Sequence, residues 1–86
     1  METDWDELTP DDRTAIAAAM EEAANVADAA ALDGDRAAVD ADESPAARAF
    51  ARRSAAIARG HAADYRAEAA TLRAGDIPDC WTASRH

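Results

Sequence analysis

The chain has no lysine: all nine basic residues are arginine, set against eighteen acids, for a net charge of −9 over 86 residues. A chain this acidic has no general attraction for DNA or for a membrane surface. The lysine-free, aspartate-rich composition fits a high-GC genome, and it also fits a salt-loving host. One cysteine, Cys80, excludes an internal disulfide, and a reducing cytoplasm is the expected compartment. The acidic N-terminus has no apolar run and does not read as a signal peptide. No uncharged stretch approaches the length of a membrane span. Aromatic residues number four, and none is interleaved with the arginines to stack on nucleic-acid bases.

Chemistry-bearing motifs are also missing. There is no Gly-rich phosphate loop, and no serine–histidine–acid spacing suggests a nucleophile. The aspartate-rich stretch from Asp33 resembles a calcium loop only superficially. Position 5 of such a loop would be Ala37, position 6 Ala38 and position 12 Ser44, where an EF-hand needs an acid, glycine and glutamate. Cys80 and His86 alone do not make a zinc site. His61, Asp64 and Glu68 fall on one side of a helix, but the Glu-x-x-His order of bundle metal sites is absent. No catalytic residue, metal ligand or cofactor is therefore expected.

What is present is alanine, at 27 positions, arranged with helix punctuation. Ser44 and Pro45 suit the N-cap and N1 positions, and Gly75 followed by Pro78 suits a C-terminal stop. Between them the spacing predicts one long helix over 44–73, rich in the two best helix formers. On a wheel at 100° per residue, Phe50, Ile57, His61, Tyr65 and Leu72 share a sector, expected to be the inner face. Arg48, Arg52, Arg59, Arg66 and Arg73 form a stripe on nearly the opposite side, expected to point outward. Gly60 interrupts this helix, either as a notch for a neighbouring helix or as a tolerated glycine.

Thr9, Pro10 and Asp12 carry the signature of a capping box opening a first helix. It is predicted over 9–32, with Gly34 as its stop and Ile16, Met20, Ala23, Ala27 and Ala30 inward. The remaining parts are an acidic lead at 1–8, an acidic connector at 33–43 and a tail at 74–86. Trp5, Leu8, Leu72, Ile77 and Trp81 are expected to meet at the open end.

The expected fold is all-α, a single-domain antiparallel hairpin of two helices, with opposed residue numbers summing to about 80. That register sets Met20 against Gly60, and Glu21 and Asp28 level with Arg59 and Arg52. Because both charged stripes point away from the predicted seam, such pairs would form between molecules. The second helix carries about +4 and the rest of the chain −13. Large apolar residues are too few to offset the ordering of two long helices. Both features favour a homodimer, giving a four-helix bundle of coiled-coil type, or a helical or acidic protein partner. The function expected is a small non-enzymatic interaction module, a regulator or adaptor. Alternatives are a nucleic-acid binder using the five arginines of the stripe, and a metal-binding bundle built around His61, Asp64 and Glu68.

Overall fold

The computed structural model describes residues 8–78, so Trp5, Cys80, Trp81 and His86, with the closure expected of the two tryptophans, lie outside the described residues. Two α-helices make up the described chain: α1 from Pro10 to Ala38 and α2 from Pro45 to Arg73. They pack antiparallel along their lengths.

The helix punctuation works as the sequence predicts at three of the four ends. Thr9 accepts a hydrogen bond from the Asp12 amide at 3.0 Å, and the Asp12 carboxylate accepts one from the Thr9 amide at 3.1 Å, completing the capping box. The Ser44 hydroxyl oxygen accepts from the Ala47 amide at 3.1 Å, with Pro45 at N1. At the end of α2, Gly75 turns left-handed (φ 88°), a conformation that costs a residue with a Cβ. Its amide donates to Leu72, and the Asp76 amide donates to Thr71, both at 3.0 Å. These two bonds close a Schellman motif over carbonyls that would otherwise be orphaned.

The fourth end corrects the sequence reading. Helix α1 does not stop at Gly34. It continues to Ala38, with Val39 as C-cap, and the connector shrinks to a short turn held by Asp40, whose carboxylate accepts from the Asp42 amide at 2.9 Å. A glycine inside a helix costs only about 1 kcal/mol relative to alanine, which flanking helix formers and tertiary contacts override. Here the contact is specific. A Cβ on Gly34 would lie 3.0 Å from the Ala51 carbonyl oxygen and 3.0 Å from the Ala55 Cβ, so Gly34 is a point of close approach between the two backbones. Gly60, the other candidate notch, faces open space, with nothing within 4 Å of a Cβ built on it.

The longer α1 shifts the register. Opposed residues at the seam, such as Gly34 with Ala51 and Ala55 or Arg13 with Gly75, have numbers summing to about 87 rather than 80. The seam itself is alanine. Ala17, Ala24 and Ala31 recur every seven residues on α1, as do Ala55, Ala62 and Ala69 on α2, and all are buried with Ala51. Among the described residues Leu72 is the one large side chain that is fully buried. It closes a cluster with Ala17 and Ala69, flanked by Ile16, Met20 and Ile77. Small side chains allow helices to approach at the short end of the usual 8–10 Å range, so close packing along the whole length replaces bulk.

Candidate interaction surfaces

The alanine seam fixes where every other stripe points. On α2 it lies between the arginine stripe, about 40° away on one side, and the large apolar stripe, about 100° away on the other, at 100° per residue. Both expected placements are thereby corrected. The arginines stand on one shoulder of the seam rather than on its back. Of the large apolar residues, Leu72 is buried as expected, while Phe50, Ile57 and Tyr65 stand on the other shoulder rather than inside the seam.

On the first shoulder the heptad spacing of α2 meets an equal spacing of acids on α1. Arg73 binds Glu21 through two bonds of 3.2 and 2.5 Å. Arg66 binds Asp28 at 2.6 Å and the Asn25 carbonyl at 3.2 Å. Arg59 grips Asp35 with both terminal nitrogens. The three pairs share one register, their numbers summing to 94 in each case. The hydrogen bond from Arg73, aided by its charge, lowers the Glu21 pKa below the usual carboxylate range, and Arg59 does the same for Asp35. These partners replace the intermolecular pairing of Glu21 and Asp28 with Arg59 and Arg52 expected from the shorter α1.

Three of the five stripe arginines are therefore held within the chain. Arg48 and Arg52 have no ion pair among the described residues. The next heptad partner for Arg52 would be at position 42, beyond the end of α1. At the opposite end of the hairpin Arg13 donates to the Gly75 carbonyl, tying the first turns of α1 to the end of α2.

The second shoulder is apolar and open. Phe50 is 72% exposed, Ile57 50% and Tyr65 37%. Because the helices are antiparallel, this shoulder of α2 lies on the same side of the hairpin as the stripe of α1 containing Ile16, Met20, Ala23, Ala27 and Ala30. Of the residues predicted to face inward, Leu72 is buried and Ile16 and Met20 pack against its cluster, while Phe50, Ile57, Tyr65 and Ala30 belong to an outer face spanning both helices. Ala30 is exposed, while Met20, Ala23 and Ala27 are partly buried at its inner edge. From Ile16 to Ala30 this stripe of α1 carries no charge, and Asp33 follows it three residues after Ala30.

His61, Asp64, Tyr65 and Glu68 line a shallow cleft of about 200 Å³ on the α2 half of this face, which is therefore polar between Ile57 and Leu72. Among the described residues no group of three or more His, Cys, Asp or Glu is placed to hold a metal ion. No described helix is long and apolar enough to cross a membrane. No protein family matches the chain, and no curated protein or solved structure shows significant similarity to it.

Proposed function

We infer that the chain is a small non-enzymatic interaction module, a regulator or adaptor of the cytoplasm, that works through helix–helix contacts on its open apolar face. The observation that carries this reading is an inversion of burial. The hairpin seals itself with alanine and leaves Phe50, Ile57 and Tyr65 facing water. Contiguous exposed apolar surface of this kind marks interaction sites in soluble proteins. The face is two helices wide, so one partner helix covers half of it and a helical pair covers all of it, completing a four-helix bundle.

A nucleic-acid reading of the arginine stripe has less support. Glu21, Asp28 and Asp35 already occupy three of its five guanidinium groups, and the net charge is −9.

A photo-crosslinking side chain placed at position 57 tests the reading against one at Ala63, on the other side of α2. Helical-protein adducts are expected from position 57, abolished by Phe50→Asp, with none from position 63. Equal labelling from the two positions, or labelling indifferent to Phe50→Asp, would remove the face as a docking surface.

A further inference from the structure

We propose that the occupant of the apolar face is a second copy of this chain, seated with a two-fold axis parallel to the helices. The inference rests on the docking reading above and names its partner.

The face is complementary to itself. Its α2 half bears the bulk, Phe50 and Ile57 one heptad apart with Tyr65 eight residues further on. Its α1 half bears alanine one heptad apart, at Ala23, Ala30 and Ala37. In the seam register, where opposed numbers sum to about 87, Phe50 is level with Ala37, Ile57 with Ala30 and Tyr65 with Ala23. Large and small positions thus lie side by side at the same heights. Turning a second hairpin about an axis along the bundle lays α2 of one copy antiparallel on α1 of the other at unchanged height. Each large side chain then meets an alanine, twice over by symmetry, as an isologous contact requires. The other face-to-face two-fold, perpendicular to the helices, stacks α2 on α2 and brings bulk against bulk.

The area is sufficient. Overlap from Phe50 to Leu72 spans about 33 Å of helix, and two helices are about 18 Å wide, so each copy buries on the order of 600 Å². The total, on the order of 1,200 Å², falls at the lower edge of specific interfaces. The α1 half carries no charge from Ile16 to Ala30, while on the α2 half His61, Asp64 and Glu68 line the cleft beside Tyr65, so their desolvation is a cost that the apolar contacts must exceed.

Sedimentation equilibrium of the full chain is expected to give twice the 9.0 kDa chain mass at micromolar to submillimolar concentration. A 9.0 kDa species throughout that range overturns the proposal. Ile57→Asp and Ala30→Arg each replace an outward side chain, and each alone is expected to give a monomer of unchanged helicity. Mixed in equal amounts they are expected to recover the dimer, because the introduced carboxylate meets the introduced guanidinium at one contact while the other contact stays native. Monomers that stay apart on mixing rule out this arrangement. Should either variant lose its helix, the wild-type urea midpoint decides, since it rises with chain concentration only for a dimer. A monomer whose position 57 still crosslinks to other helical proteins would reject self-association and leave the docking face intact.

Discussion

The two glycines inside the helices make the sharpest test of the seam, because the same substitution should act in opposite directions. Alanine is favoured over glycine in a helix interior by about 1 kcal/mol, from backbone entropy alone. At Gly60 nothing lies within 4 Å of the new methyl group, so Gly60→Ala should stabilise by about that amount. At Gly34 the same gain meets a wall. The methyl would stand 3.0 Å from the Ala51 carbonyl oxygen and 3.0 Å from the Ala55 Cβ, inside ordinary van der Waals contact. Both atoms are fixed to the α2 backbone, so no rotamer change relieves the crowding, and α2 must move away along the seam. Overpacking of this kind costs about 1–3 kcal/mol. The net expectation for Gly34→Ala is destabilisation on the order of 1 kcal/mol, which puts the two variants about 2 kcal/mol apart. Urea denaturation followed by circular dichroism at one fixed chain concentration reads this difference directly. Equal stabilisation by both substitutions would mean that the helices do not meet at Gly34, and the register argued from that contact would fall with it.

Three further outcomes are expected. Replacing Leu72, the one large fully buried side chain among the described residues, by alanine should cost about 2–4 kcal/mol in thermal or urea unfolding, because Ala17 and Ala69 cannot collapse into the space; a loss below about 0.5 kcal/mol would show that the cluster is not the anchor of the open end. Thr9→Ala should cost about 1 kcal/mol and speed amide exchange in the first turn of α1, since the Asp12 amide loses its acceptor; unchanged exchange there would argue against the capping box. Neutralising the ladder with Glu21→Gln, Asp28→Asn and Asp35→Asn should lower the urea midpoint at neutral pH, and by less at high salt. The folded pKa values of Glu21 and Asp35 lie below their unfolded ones, so their stabilisation is present above the unfolded values and is lost as pH falls through the lowered ones. The wild-type advantage over the triple variant should therefore vanish below the usual carboxylate range, and an advantage that persists in acid would contradict the ladder.

The sequence determined what could be decided within a turn or two of chain. Thr9 with Asp12, Ser44 with Pro45, and Gly75 act on their own helix ends, and each does what its local chemistry dictates. The 3.6-residue period likewise fixed which residues share a stripe. Tertiary packing decided which stripe faces the other helix, where α1 ends, and hence the register. Large apolar residues ordinarily take the seam, and the wheel put Phe50, Ile57 and Tyr65 there. In the folded hairpin the backbones close on alanine and Gly34 instead, an approach that those side chains would obstruct. The three acid–arginine pairs follow from that approach, because Asp35 enters a helix only once α1 has run past Gly34. A glycine reads as a stop when only its own strand of chain is considered. It becomes a point of contact when a second backbone lies against it, and no single stretch of sequence contains both.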